Sequence, residues 1–269
     1  MRRFDEAYLE RTRSGMWADS TSALSALDLP GRERVLDVGC GTGEFSRVLA
    51  REASGAVVGC DADPGLLAVA SEHVPVVAGD ATRLPVRDGA FDLVACQALL
   101  VNLPHPALAV REFARASSDL VAVVEPDNAA VTVDSTVDSE PGLARAARAA
   151  YIAGAAVDPG LGADAADVLR EVGLVDVTTT RYDHARTVAP PYDDADLQAV
   201  AKKANGAGLA SDEEHLRATL SADEYDDLRA RWREMGREAA AQTADGEYRR
   251  TETVPFYVTV GRVPDATER

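Results

Sequence analysis

An apolar run leads straight into three closely spaced glycines at Val35-Leu36-Asp37-Val38-Gly39-Cys40-Gly41-Thr42-Gly43, and a helix-compatible stretch follows from Glu44. Glycine reaches positive φ without a Cβ penalty, so this spacing predicts a sharp strand-to-helix turn whose backbone can approach a ligand closely. The helix opening adds unpaired N–H groups and the positive end of a dipole, which suit an anionic group such as a carboxylate. Asp37, just before the turn, is placed to face a cation. A dinucleotide site wants Gly-x-Gly-x-x-Gly. Counting from Gly39 or Gly41, the sixth position is Glu44 or Ser46, so that fingerprint fails; the spacing is Asp-x-Gly-x-Gly-x-Gly.

From residue 34 onward, short apolar runs alternate with helical patterns, the signature of a parallel sheet with helices on both faces. Strands are predicted at 34–38, 56–60, 74–77, 91–96 and 120–124. Helices are predicted at 44–52, from Asp63-Pro64, and at 105–116. Runs this apolar suit strands buried on both faces. Asp63 before Pro64 reads as an N-cap, and Asp92 as a solvated residue at a strand start.

Residues 140–156 and 163–173 are predicted helical, with Gly173 as a C-terminal cap. Residues 193–244 are predicted mostly helical, with Ser211 and Ser221 as N-caps at capping-box spacing from Glu214 and Glu224. Residues 174–182 and 254–262 read as the last two strands. One domain over 1–269 is expected: a helical cover over 1–30, a core over 31–126, and helical insertions over 127–162 and 187–250 near the C-terminal edge of the sheet.

The charge balance is strongly acidic: 28 Lys+Arg against 45 Asp+Glu, net −17, with Lys202 and Lys203 the only lysines. Such a surface fits a protein adapted to high salt, where screening relieves self-repulsion. It argues weakly against a nucleic-acid partner. No run approaches the roughly 20 apolar residues of a membrane span, and the first residues have no apolar signal core, so a cytoplasmic protein is expected. Cys40, Cys60 and Cys96 lack C-x-x-C spacing and read as small buried hydrophobes. No metal is expected.

Two further acidic positions follow strand ends. Asp61 closes Val57-Val58-Gly59-Cys60-Asp61, where a carboxylate can bind two vicinal ribose hydroxyls. Asp80 lies in Ala78-Gly79-Asp80-Ala81. Together with the glycine turn and the run Leu84 to Val94, these closely resemble the motifs of class I S-adenosylmethionine-dependent methyltransferases over residues 34–126. The resemblance implies a Rossmann-like seven-stranded, mostly parallel sheet with its last strand antiparallel.

It also implies S-adenosyl-L-methionine as cofactor, with contacts from Asp37, Gly39, Cys40, Gly41, Thr42, Gly43, Asp61 and the adjoining Ala62. In the family an Asp at the position of Asp80 binds the adenine amino group, and the next N–H, here that of Ala81, meets a ring nitrogen. Gln97, ending the fourth strand, maps to the methionine edge. Residues 8–17, ending at Trp17, resemble the segment that folds over the cofactor in small-molecule members. Glu125-Pro126-Asp127 and 157–162 are similar to the same subset, typified by ubiquinone and menaquinone biosynthesis.

The expected activity is methyl transfer to a small-molecule acceptor. The Asn/Asp-Pro-Pro-Tyr signature of amino-directed nucleic-acid methyltransferases is absent after the fourth strand. Glu125, Asp127 and Asn128 lack partnered acids for a metal-assisted site, so hydrogen bonding or capping is expected of them. His105 and Tyr8 are weak candidates for a base, and a helix-start role is the stronger expectation for His105. Tyr8, Trp17, Tyr151, His184, Tyr192 and Trp232 could line an acceptor pocket, although packing is the default for each. An RNA or protein methyltransferase, a non-catalytic cofactor-binding protein and a nicotinamide dehydrogenase are the alternatives.

Overall fold

In the computed structural model, which describes residues 16–17 and 21–264, the apolar runs become strands β1 (Arg34–Val38), β2 (Ala56–Asp61), β3 (Val76–Ala78), β4 (Phe91–Gln97) and β5 (Ser117–Pro126). Helices α1 (Glu44–Glu52), α2 (Pro64–Ala70) and α3 (Pro106–Ala116) lie between them in the chain. Further strands are β6 (Thr132–Ser135), β7 (Val175–Val188) and β8 (Arg250–Arg262). The remaining helices are α4 (Glu140–Ala153), α5 (Ala165–Glu171), α6 (Asp194–Asn205), α7 (Ala207–Ala210), α8 (Glu213–Arg217) and α9 (Ala222–Ala244).

By packing, the chain divides into two compact units: one comprises the residues up to Pro126, Leu161–Tyr182 and those from Phe256 on, and the other Asp127–Gly160 with Asp183–Pro255.

In the first unit the strand order is β3-β2-β1-β4-β5-β8. The pairs β2/β3, β1/β2, β1/β4 and β4/β5 are parallel, and β8 runs antiparallel to β5. This is the mostly parallel, Rossmann-like sheet with an antiparallel last strand. The order reverses between β1 and β4, which is where open sheets of this kind bind ligands, outside the carboxyl ends of the strands.

Val35 to Val38 are all buried, as are Leu93 to Gln97, as strands covered on both faces require. α3 contributes Ala109, Val110, Phe113 and Ala116, a single apolar stripe at helical spacing. They meet Leu36, Val94, Val121 and Val123 in the main core. β3 begins at Val76 rather than Val74 because Pro75 has no N–H to give a ladder; its carbonyl instead accepts from Gly59 N at 2.9 Å.

The opposite edge of the sheet is closed by side chains. Buried Arg32 donates to Leu27 O at 2.8 Å and to Asp119 Oδ2 at 2.5 Å. Asp92, expected to be solvated, instead accepts from Glu33 N and Arg34 N at 3.0 and 2.9 Å. Those two N–H groups start a strand beside it, and a carboxylate is the nearest strong acceptor.

The second unit packs Val137, Leu143, Val200, Leu216, Leu228 and Met235 around Tyr225 and Tyr248. Gly236 allows a close crossing of α9 and α6: a Cβ there would lie 2.4 Å from Ala204 N. β6 was not expected, since 127–162 reads as helical. Its Thr-Val-Asp-Ser run is half β-branched and pairs antiparallel with β8 from Thr132↔Thr253 to Ser135↔Arg250. The Ser221/Glu224 capping box forms, and an unforeseen one joins Asp193 and Asp196. Ser211 does not cap a helix start. It follows α7 as a C-cap, and Asp212 takes the N-cap position of α8.

Glu140, 1% exposed, gathers Ser135 Oγ (2.7 Å), Lys203 Nζ (2.5 Å), Tyr248 OH (2.9 Å) and Arg250 Nε (3.0 Å). Burial works against its charge, but the Lys203 ammonium and the other donors hold its carboxyl below the ordinary glutamate range.

β7 and β8 belong to both units. As β7 advances from Thr179 to Thr187, the bonded partner on β8 retreats from Thr259 to Thr251, so the two run antiparallel. Both are longer than their predicted segments. Among the described residues, no helix is long and apolar enough to cross a membrane.

Candidate functional site

The glycine turn follows directly from β1 at the reversal point. Gly39, Gly41 and Gly43 have φ of +70°, +56° and +86°, a region that L-residues occupy only at a cost. A Cβ on Gly39 would lie 2.8 Å from Leu99 Cδ1. Gly39 N and Cys40 N both donate to Cys60 O at 2.7 and 3.1 Å, which ties the turn to the end of β2. Gly43 then serves as the N-cap of α1. Asp37, 1% exposed, accepts from Ser46 Oγ at 2.5 Å, so it anchors the first turn of α1 to β1.

Asp61 is half-buried at the end of β2. Its Oδ2 accepts from Gly41 N and its Oδ1 from Asp63 N, both at 2.9 Å. Its carbonyl accepts from Gly79 N at 3.0 Å. These bonds bring the glycine turn, Asp61 and the Gly79-Asp80-Ala81 segment to one place. Exposed Asp80 accepts at Oδ1 from Thr82 N and Thr82 Oγ1, both at 2.8 Å, and these bonds hold its carboxyl below the usual range. Ala62 is exposed and Ala81 half-buried beside these carboxylates. Asp63 caps α2 through Gly65 N at 2.8 Å, as its Asp-Pro spacing predicts.

On the β4 side, Gln97 is buried. Its Oε1 accepts from Trp17 Nε1 at 3.1 Å, and its Nε2 contacts Met16 Sδ at 3.2 Å. Trp17 stacks on Tyr182 at 4.9 Å between ring centroids and leans on Phe45 at 6.3 Å. Tyr182 OH also donates to Met16 O. Trp17 is therefore fixed to the end of β4 and to α1. Its partners Phe45 and Tyr182 were not foreseen: Tyr182 lies in a plain alternating strand, and nothing local marks it.

Thr42 Oγ1, in the middle of the glycine turn, is buried with no hydrogen-bond partner among the described residues. A buried hydroxyl left unpaired is costly, so its presence here signals a missing acceptor or donor.

Buried Glu125 accepts from Leu99 N, Leu100 N and Val101 N at 3.1, 2.9 and 3.2 Å. Burial pushes its carboxyl up to about 7, against the pull of those N–H groups. The hydrogen-bonding role expected of Glu125 is thus the observed one.

The three cysteines are free and buried. Burial, helped by neighbouring carboxylates, raises the Cys60 thiol to about 12 and Cys40 and Cys96 upward as well, so all three stay protonated at neutral pH. No cluster of potential metal ligands occurs among the described residues. His105 is exposed at the N-cap position of α3 and makes no side-chain capping bond. Tyr8 lies outside the described residues.

Comparison with known proteins agrees with this geometry. Residues 36–119 match the family model for a methyltransferase domain. A demethylmenaquinone methyltransferase of Mycolicibacterium gilvum is 41% identical over 118 residues, covering 42% of this chain and 50% of the relative. The same-named protein of Beutenbergia cavernae is 43% identical over 97 residues, 35% of this chain and 39% of the relative. The chain thus spans about half the length, or less, of the curated relatives it matches. A Bacillus halodurans protein described as a methyltransferase aligns over 92% of this chain and 100% of its own at a TM-score of 0.53, with 17% identity, a likeness of fold. Over residues 36–119, then, this chain is similar to methyltransferase domains.

Proposed function

We propose that the chain transfers a methyl group from S-adenosylmethionine to a small-molecule acceptor. The observation that carries the cofactor half is the convergence of the glycine turn, Asp61 and Gly79-Asp80-Ala81 around the Gly41–Asp61 hydrogen bond.

The residues present fit the cofactor. The positive-φ glycines expose backbone at the start of α1, where N–H groups lack intrahelical partners and favour the methionine carboxylate. Asp61 would hold the ribose hydroxyls, and Asp80 with Ala81 N the adenine edge. Thr42 Oγ1 is a buried polar group still in need of a partner. Gln97, with Trp17 held against it, would close the methionine edge.

The bound cofactor supplies a methyl group already activated by sulfonium. What remains for the protein is to align the acceptor behind that methyl and keep water out. Good alignment contributes of order 7–11 kcal/mol in favourable cases.

A small acceptor is supported by the relatives named for demethylmenaquinone. It is also supported by the net charge of −17, which repels polyanions. Titration calorimetry with S-adenosylhomocysteine in high salt, against NAD as control, tests the cofactor. Asp61→Asn keeps an acceptor for Gly41 N, gives up the one for Asp63 N and weakens the ribose contact; a loss of roughly 10–100-fold is expected from hydrogen bonds to a charged group. Tritiated methyl supplied with fractionated extract then tests the acceptor. Label confined to RNA or protein refutes the small-molecule assignment.

A further inference from the structure

The segment that leaves β4 reaches the cofactor turn, and one buried carboxylate holds it there. Glu125 is fully buried near the end of β5. It receives the three N–H groups that open the 3-10 turn Leu100–Asn102, groups that have no partner within the turn itself. The Cys96 thiol, 3.6 Å away, is the other group bonded to it. Among the described residues no cation faces it, so its charge is solvated by these donors alone.

What this arrangement holds is informative. Ala98 has φ +49°, left-handed for a non-glycine residue. It is pinned by Ala98 N to Val124 O at 2.8 Å and by Asn102 Nδ2 to Ala98 O at 2.9 Å. On one side of Ala98 is Gln97, bonded to Trp17. On the other is Leu99, whose Cδ1 would lie 2.8 Å from a Cβ placed on Gly39.

We propose that Glu125 is a positioning residue for the methyl-donor site: through the turn at 98–102 it seats Leu99 on Gly39 and sets the glycine turn for cofactor binding. The inference rests on the methyltransferase reading above. Ionised Glu125 accepts all three N–H groups. Protonated, it turns one oxygen into a donor and loosens the turn. Its carboxyl lies near 7, raised by burial, so the change falls in an accessible pH range.

The test is calorimetric binding of S-adenosylhomocysteine from pH 5.5 to 8.5 by the wild-type chain and by Glu125→Gln, with circular dichroism to confirm folding. The amide keeps the shape but sets an NH₂ against backbone N–H groups. At pH 8 the variant is expected to bind about 10-fold more weakly, the scale of one hydrogen bond to a charged group. The gap is expected to close as pH falls below 7, while kcat, once an acceptor is known, moves less than the KM for the cofactor. Taking the ratio of the two proteins removes every titrating group they share.

Equal affinities, or a gap independent of pH, would overturn the proposal. If Glu125→Gln does not fold, the wild-type profile decides: affinity unchanged from pH 8 to 5.5 overturns it, and a decline through 7 supports it. If the wild type binds no S-adenosylhomocysteine at any pH, the functional reading itself fails and this inference falls with it.

Discussion

Gly39→Ala is expected to destabilise the chain through two separable effects. The first is backbone strain: at φ +70° an L-residue costs about 1–2 kcal/mol over glycine. The second is overpacking. The new Cβ would sit 2.8, 3.1 and 3.2 Å from Cδ1, Cδ2 and Cγ of Leu99, well inside the ~3.5–4.0 Å of carbon contact, and relief of such crowding costs about 1–3 kcal/mol. The total is roughly 2–5 kcal/mol, measured by urea unfolding at fixed high salt. Leu99→Ala removes a half-buried side chain and is expected to cost less than the ~2–5 kcal/mol of a fully buried leucine. The decisive species is the double variant. If the crowding is real, truncating Leu99 makes room for the methyl group that Gly39→Ala adds, and the double variant is more stable than the sum of the singles predicts by about 1–3 kcal/mol. The backbone strain remains in both. Additivity within ~0.5 kcal/mol would mean that Leu99 does not press on the glycine turn, and the positioning argument for Glu125 would lose its link to the site.

Glu140→Gln strips a buried charge from Lys203 and Arg250 and should cost about 3–5 kcal/mol by urea unfolding; a loss under 1 kcal/mol would show that the cations find other partners. Glu125 should give stability a pH slope of its own. Its folded value near 7 lies above the ordinary 4.5, so its contribution is fully present below 4.5 and is lost as pH rises through 7. The wild type should then lose stability relative to Glu125→Gln across that window at up to ~1.4 kcal/mol per pH unit, and parallel stability curves contradict this. Thr42→Val replaces an unpaired buried hydroxyl with a methyl. It should leave stability unchanged or raise it by up to ~1 kcal/mol while weakening S-adenosylhomocysteine binding; unchanged affinity would mean that the hydroxyl does not serve the cofactor.

The parts of this structure that show in the sequence are those set by local physics. α1 runs from Glu44 to Glu52 as expected, because Gly43 ends the turn on one side and Ala53-Ser54-Gly55 breaks the pattern on the other. α2 opens at Asp63-Pro64 because one residue caps and the next cannot sit further in. The hidden parts are set by partners distant in the chain. Asp92 looks solvated until β1 starts beside it. Ser211 has capping spacing, yet α7 extends up to it and takes it as an end. Tyr182 is one of many residues on β7, and Met16 and Trp17, more than 160 positions earlier, give it a role. β6 is four residues long, too short for its periodicity to outweigh the helical composition around it.

The same contrast separates the four carboxylates at the carboxyl ends of the strands. In the sequence Asp37, Asp61, Asp80 and Glu125 look alike, each an acid at or just past an apolar run. An ionised carboxylate has about four acceptor positions, so its capacity for a ligand depends on how many the protein already fills and on whether solvent reaches it. Glu125 is buried and takes four donors, counting the Cys96 thiol. Asp37 is buried with Ser46 at its Oδ2. Glu125 has no acceptor position left, solvent reaches neither of the two, and their roles are to hold α1 and the turn after β4. Asp61 takes two N–H groups, one on each oxygen, and remains half-exposed. Asp80 takes both of its bonds on Oδ1 and is exposed. The two acids that solvent reaches are therefore the two that follow β2 and β3. Removing either should weaken cofactor binding with little effect on folding, whereas losing Asp37 or Glu125 disturbs the frame that aims them.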